Sequence, residues 1–143
     1  MSGGALPGVY DEECLFCKII QGAVPSYTWY EDENHLAILD RFPVRAGHTL
    51  IIPKTHAADL FALPGLYAET LIPLARRLGL RLKETERCPG LKLVQNNVKT
   101  AGQAVAHFHL HLIPCHAGDE PAWQWKSLDP PPEEFEAVMA RLR

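Results

Sequence analysis

The chain has 143 residues, of which 47% are hydrophobic and 22% are charged, values typical of one globular domain. Its net charge of −3 argues against general binding to nucleic acids or membrane surfaces, which depends on an excess of lysine and arginine. No apolar run approaches the roughly 20 residues of a membrane span, and the first ten residues lack the features of a signal peptide. We therefore expect a single cytoplasmic domain over residues 1–143, with neither nucleic-acid nor membrane partners.

Hydrophobic periodicity predicts three helices and five strands. In chain order these are a short helix at 12–22, strands at 27–31, 35–40 and 48–53, a long helix at 64–86, strands at 91–96 and 106–114, and a final helix at 133–142. Leu66, Leu71 and Leu74 begin an apolar stripe on the long helix, which Pro73 is expected to kink or break. Hairpins combined with one long helix predict an α+β fold with an antiparallel sheet.

The fifth predicted strand carries three histidines that alternate with apolar residues, in the run His107-Phe108-His109-Leu110-His111-Leu112-Ile113-Pro114. Side chains of a strand point alternately to its two faces, so the imidazoles share one face and the apolar side chains bury on the other. A row of imidazoles suits metal binding or phosphate chemistry near neutral pH. The alternative is a half-buried strand with outward polar residues, which seldom uses histidine three times. We therefore expect a functional site here.

A pair of cysteines, Cys14 and Cys17, lies near the N-terminus with two residues between them. Four cysteines are too few for the disulfide framework of a secreted domain of this size. The Cys-x-x-Cys spacing therefore indicates metal binding or redox chemistry.

These motifs together resemble the histidine-triad (HIT) family of nucleotide hydrolases and transferases, named after the pattern His-φ-His-φ-His-φ-φ with φ apolar. Residues 107–113 fill every position of that pattern. The resemblance continues in Leu15-Phe16-Cys17-Lys18-Ile19-Ile20, Leu39-Asp40, Gly47-His48-Thr49-Leu50-Ile51-Ile52-Pro53-Lys54, Gln95-Asn96-Asn97 and Ala101-Gly102-Gln103. It implies an α+β HIT-like fold, with a five-stranded antiparallel sheet, one long helix and a short N-terminal helix. It further implies a homodimer, a domain core at about 12–115 and an uncovered tail at 116–143.

The resemblance also implies hydrolysis at the α-phosphate of purine nucleotide phosphoramidates or phosphoanhydrides. His109 would be the nucleophile that forms a nucleotidyl-histidine, and the backbone carbonyl at His48 would hold the proton on its other ring nitrogen. His111 would bind phosphate oxygens or the leaving group, and its being histidine instead of glutamine favours water as the final acceptor. Gln103 and Asn96 would supply amide donors to the phosphate, beside a turn at Gly102 whose backbone can approach it closely.

A nucleotide must also be held by its base and ribose. By resemblance, Asp40 accepts both ribose hydroxyls, although it could be a simple turn residue. The slot for a purine base would be apolar and formed by Leu15, Phe16, Ile19 and Ile38, of which Leu15 and Ile19 could equally be ordinary core. Arg41, next to Asp40, could favour an extra phosphate, alter base preference or point to solvent.

The resemblance also implies a metal site. Cys14, Cys17, His56 and His107 complete a Cys₂His₂ set of the kind that binds structural zinc. His107 would then be a metal ligand without a catalytic role. Free buried thiols or a redox pair are the alternatives to zinc.

Two rival functions remain open. One is hydrolysis of dinucleoside polyphosphates. The other is nucleotide binding with little catalysis, which Ala104 keeps open because many family members carry a serine or threonine hydroxyl at that position.

Overall fold

A computed structural model of the protein describes residues 9–119 and 124–143; residues 1–8 and 120–123, with Trp123 among them, lie outside the described part. The helices are α1 (Leu15–Ile20), α2 (Gly65–Glu86) and α3 (Pro132–Leu142). The strands are β1 (Thr28–Glu31), β2 (His35–Leu39), β3 (Thr49–Pro53), β4 (Gly90–Val94) and β5 (Leu110–Cys115).

The five strands form one sheet in the order β1-β2-β3-β5-β4, and every neighbouring pair is antiparallel. The predicted α+β fold with a five-stranded antiparallel sheet, one long helix and a short N-terminal helix is therefore confirmed. β5 lies between β3 and β4, so the histidine-bearing segment from Leu110 onward is central and its backbone is held on both sides. A central position gives the site a rigid support.

The sheet buries both of its faces. On one face α2 and α3 cover Ala37, Ile51 and the apolar residues of β5, as the alternating pattern predicted. On the other face, Phe16 and Ile20 of α1 pack against the apolar side chains of β2 and β3. The imidazoles share this second face, so α1 and the histidines are brought together. Among the described residues, no helix is both long and apolar enough to cross a membrane.

The strand bearing the histidines begins later than predicted. Ladder pairing starts at Leu110, because the backbone N–H of Phe108 donates to the carbonyl of Ala57 (2.7 Å) instead of to a β3 residue. His107 and His109 therefore precede β5, in extended chain that packs against the segment after β3. β4 also ends early, at Val94, where the Gln95 side chain turns to the amide of Asn97 (2.8 Å).

Helices α1 and α2 differ from their predictions in the residue at which they begin or in the residues that they bury. α1 begins at Leu15 because the sulfur of Cys14 caps it, accepting the backbone N–H of Cys17 (3.3 Å). α2 runs through Pro73 as one helix. Its buried stripe begins at Tyr67, and Leu66, which was expected to belong to it, is exposed.

Candidate functional site

The three histidines are buried together beneath α1. The His109 and His111 rings meet edge to face with centroids 5.0 Å apart, and the ring of Phe16 stands on edge against His107 and His109. His107 is fully buried and the other two keep only a small exposed edge. Their protonation states therefore depend on the hydrogen bonds of each ring.

His109 has its proton fixed on Nδ1. That nitrogen lies 2.7 Å from the carbonyl oxygen of His107, and because a carbonyl only accepts hydrogen bonds, Nδ1 must be the donor. Burial lowers the pKa of His109, so the ring is neutral at pH 7 with a lone pair on Nε2. The prediction that the carbonyl of His48 accepts the Nδ1 proton of His109 is wrong. That oxygen instead accepts the backbone N–H of Asp40 (2.8 Å).

His48 and His111 form a second, directed hydrogen-bonded pair. The backbone N–H of Val44 donates to Nδ1 of His48 (3.0 Å), so the proton of His48 is on Nε2. Nε2 of His48 lies 2.9 Å from Nδ1 of His111 and donates to it. His111 then carries its own proton on Nε2, where it can donate to a ligand.

This pair is held neutral. Burial, together with neighbouring histidines, lowers the pKa of His48 to about 4 and that of His111 to about 3. A neutral His111 stabilises negative charge by donating a hydrogen bond, but it is a poor source of a proton. This property affects the choice of leaving group.

The neutral pair makes stability depend on pH. In the unfolded chain histidine has a pKa of about 6.5, so as the pH falls from 6.5 towards 4 the unfolded state binds protons that the folded state does not. The free energy of unfolding must therefore fall over this range, by up to about 1.4 kcal/mol per pH unit for each histidine. Burial raises the pKa of Asp40, so this carboxyl binds a proton more readily in the folded state and opposes the loss of stability at the low-pH end of this range.

Urea unfolding at pH 7 and pH 5 tests this dependence. His111→Asn should lose less stability than the unsubstituted protein between the two pH values, by about 2 kcal/mol, because one unfolded-state proton uptake is removed. Identical pH dependence of the two proteins would show that His111 titrates normally.

Asp40 completes this corner of the site. Its Oδ1 accepts the backbone N–H of Phe42 (2.9 Å), a turn contact, whereas Oδ2 lies 3.4 Å from Nε2 of His48 and 3.9 Å from Nδ1 of His111. The three residues have a spacing that could hold a metal ion. However, the N–H of Val44 keeps the proton of His48 on the nitrogen that would bind it. The cluster therefore suits hydrogen bonding to a ligand better than metal coordination.

The loop expected to meet the phosphate is held by Gln103. Its Oε1 accepts the N–H of Val98 (2.9 Å) and its Nε2 donates to the carbonyl of Ala58 (2.6 Å). Both polar atoms of the side chain are therefore hydrogen-bonded to the backbone. Val98 has φ 59° and Gly102 has φ 97°, a backbone shape that strains valine but not glycine. The Asn96 amide lies beside Gly102. Contact of Asn96 or Gln103 with a phosphate stays a prediction.

The four residues predicted to form a base slot differ in burial. Phe16 and Ile38 are buried in the cluster beneath α1, and Ile19 packs partly buried against it. Leu15 is 45% exposed, so it is not core. These positions leave the apolar slot as a prediction in which Leu15 would contribute only an outer edge.

The side chain of Arg41 is 55% exposed, which favours the predicted alternative that it points to solvent. Its guanidinium pairs with Asp129 (3.1 Å) and lies over the rings of Phe42 and Phe135. The nearby backbone N–H of Leu128 donates to the carbonyl of Pro43 (2.8 Å). The C-terminal tail is thus attached to the loop between Asp40 and His48, a contact that the sequence pattern did not reveal.

The predicted metal ligands do come together. Nδ1 of His107 lies 3.2 Å from the sulfur of Cys14 and 3.6 Å from that of Cys17, and the Cys17 sulfur is 3.6 Å from Nδ1 of His56. Ligand atoms about 2.0–2.3 Å from a tetrahedral zinc ion would lie roughly 3.3–3.8 Å apart. The observed separations fit that geometry.

The protonation of this cluster also fits a metal. Nε2 of His107 lies 3.0 Å from the carbonyl of Pro53 and donates to it, which leaves the lone pair of Nδ1 among the sulfurs. Burial raises the pKa of Cys17 to about 12, which makes the free thiol unreactive and argues against the redox alternative. His56 has an outer partner as well, since its Nε2 lies 3.8 Å from Asp11.

Comparison with known proteins gives a consistent picture. A family model described as the HIT domain matches residues 21–118. The chain is 35% identical over 134 residues to Protein hit of Bacillus subtilis, covering 92% of each chain. It is 41% identical over 108 residues to the adenosine 5'-monophosphoramidase HNT1 of Saccharomyces cerevisiae, covering 76% of this chain and 66% of that one. A Zn-bound histidine triad family protein from Mycobacterium smegmatis has a similar structure, with a TM-score of 0.78, 37% identity and coverage of 90% and 92%.

Proposed function

This chain belongs to the HIT family, and on that premise we propose that it hydrolyses purine nucleotide phosphoramidates or phosphoanhydrides at the α-phosphate. The observation that carries the proposal is the protonation of His109: Nδ1 donates to the His107 carbonyl, so a neutral ring offers its Nε2 lone pair as nucleophile. The phosphoramidase activity named for the yeast relative supports the substrate class.

The reaction then has two steps. Nε2 of His109 attacks the α-phosphorus while the bond from phosphorus to the leaving group breaks, giving a nucleotidyl-histidine. The leaving group takes the bonding electron pair and departs as a phosphate anion, or as an amine that is protonated by solvent. The ring becomes cationic, and the carbonyl of His107 stabilises that charge through Nδ1–H. Nε2–H of His111 donates to a phosphate oxygen in both steps. In the second step the oxygen of water bonds to phosphorus, the bond from phosphorus to Nε2 breaks, and one proton passes to solvent, which releases the nucleotide and restores neutral His109.

Two further groups would hold the nucleotide. Asp40 keeps Oδ2 available for the ribose hydroxyls after Oδ1 is used in its turn. Phe16 and Ile38 would contact a purine base. Positioning by these groups matters because phosphoryl transfer depends mainly on alignment and charge stabilisation.

We propose structural zinc at Cys14, Cys17, His56 and His107. The separations of their sulfur and nitrogen atoms support it, and the Mycobacterium smegmatis protein of similar structure is Zn-bound. The ion would act by fixing His107, whose carbonyl holds His109, and would take no part in bond breaking. The single domain, the homodimer and the cytoplasmic location stay predictions.

Hydrolysis of dinucleoside polyphosphates is the second candidate, and one feature favours it. His111 is neutral and Ala104 has no hydroxyl, so neither of these two residues would protonate a leaving amine, whereas a phosphate leaves without a proton.

Comparing kcat/KM for adenosine 5'-monophosphoramidate and diadenosine tetraphosphate decides between these candidates. A preference of about tenfold or more for either substrate assigns the class, since that ratio corresponds to about 1.4 kcal/mol of transition-state stabilisation. AMP binding without turnover of either would refute the hydrolase proposal and leave a nucleotide-binding protein.

A further inference from the structure

The C-terminal tail between β5 and α3 is held against the loop that carries Asp40 and His48. Asp129 pairs with Arg41 (3.1 Å), Leu128 donates its N–H to Pro43, and Asp119 pairs with Arg45. Between these attachments a cavity of about 310 Å³ lies under Leu128 and beside Phe135. The described part of the tail therefore contacts this loop on both sides of the cavity.

One of those points is an aromatic ring on the histidine pair. The indole of Trp125 stands perpendicular to the His111 ring, with centroids 4.9 Å apart, and at 77° to the His48 ring at 5.7 Å. Trp125 thus contacts both partners of the hydrogen bond between Nε2 of His48 and Nδ1 of His111. Within residues 9–119 and 124–143, Trp125 is the one aromatic side chain that contacts both histidines.

We propose that Trp125 is a positioning residue for the hydrolysis reaction, which holds His111 and His48 in their hydrogen-bonded orientation and keeps water from that bond. The proposal rests on the proposed function only for its kinetic consequence. The effect on the histidine pair itself would exist in a protein that catalyses nothing.

The charged and titratable groups around His111 explain why an uncharged side chain beside it affects its protonation. The charged or titratable groups facing it are Asp40 from the end of β2, His48 from before β3, and His109 from its own segment. From the described part of the tail, the uncharged indole of Trp125 lies against His111. His111 is 7% exposed, and the indole of Trp125, whose centroid is 4.9 Å from its ring, covers part of it.

Removal of the ring should therefore admit water and let His111 protonate more easily. Burial is the main cause of the low pKa of His111, so Trp125→Ala should raise that pKa by about one unit or more. Titration of the imidazole ¹³C and ¹H resonances by NMR measures this without any turnover. Trp125→Phe, which keeps an aromatic ring, should stay close to the unsubstituted protein.

Two comparisons make the result specific. Phe61→Ala removes an aromatic ring that is 83% exposed and should leave the His111 titration unchanged. Asp129→Asn weakens the attachment to Arg41 without touching a histidine, and should shift the His111 pKa in the same direction by a smaller amount. Coincident titration curves for Trp125→Ala and the unsubstituted protein would overturn the proposal.

Kinetics give the second readout. In Trp125→Ala we expect kcat to fall about tenfold, with KM changed less than about threefold, because orientation of His111 is lost and nucleotide contacts are kept. Trp125→Phe should recover most of that loss. Equal kcat values for all three proteins would contradict the positioning role, whereas absence of turnover in the unsubstituted protein would refute the proposed function and leave the NMR test intact.

Discussion

His109→Ala should reduce kcat/KM for a substrate that releases AMP by at least about 10³-fold, since the reaction would lose its nucleophile. The neighbouring rings cannot substitute for it. Nδ1 of His111 accepts the proton of His48, and Nδ1 of His107 faces the cysteine sulfurs. AMP binding should persist in the variant, because Asp40 and the apolar residues remain.

His116→Ala is a matched control for this change. His116 follows β5 and lies outside the row of buried imidazoles, so its loss should leave kcat/KM within about twofold. Single-turnover kinetics with all three proteins measure both effects. A loss of less than tenfold in His109→Ala would remove His109 from the role of nucleophile.

Loss of the metal should have the largest effect on stability. Cys17→Ser, or chelation of the unsubstituted protein, should lower the free energy of unfolding by about 4 kcal/mol or more, because structural zinc contributes its binding energy to folding. The metal ligands join α1, the segment after β3 and His107, so loss of the metal would release all three from one another. Denaturant unfolding with and without chelator measures the change.

Cys115→Ser is the matched control here, since Cys115 ends β5 outside the metal cluster. Its unfolding should stay sensitive to chelator, whereas that of Cys17→Ser should not. Metal analysis of protein from zinc-supplied cultures should give about one equivalent per chain. Less than half an equivalent, with unfolding unaffected by chelator, would contradict the zinc proposal.

The histidine face was predictable because strand periodicity is a local property. Alternation alone placed Phe108, Leu110 and Leu112 on the core side and the imidazoles opposite them, and the structure agrees. The antiparallel sheet followed in the same way from short alternating runs around one long helix. The joint placement of Cys14, Cys17 and His107 came from resemblance, since spacing along a chain does not fix distance between elements.

Hydrogen-bond partners were not predictable in this way. The carbonyl that holds His109 belongs to His107, and the tautomer of His48 depends on an N–H of Val44 within an irregular loop. Loop backbone directions depend on several dihedral angles at once, and no sequence period records them. The contact of Trp125 with His111 joins segments 14 residues apart through an irregular tail, for the same reason.

The most direct test of the central claim is to trap the nucleotidyl-histidine. The protein is mixed in excess with a substrate labelled at the α-phosphorus, quenched within one turnover in alkali, which preserves phosphorus–nitrogen bonds, and digested for peptide mapping. We expect the label on His109, at Nε2, to rise and then decay as labelled nucleotide appears. Label on another residue, or product formed at full rate with the protein never labelled, would contradict attack by His109.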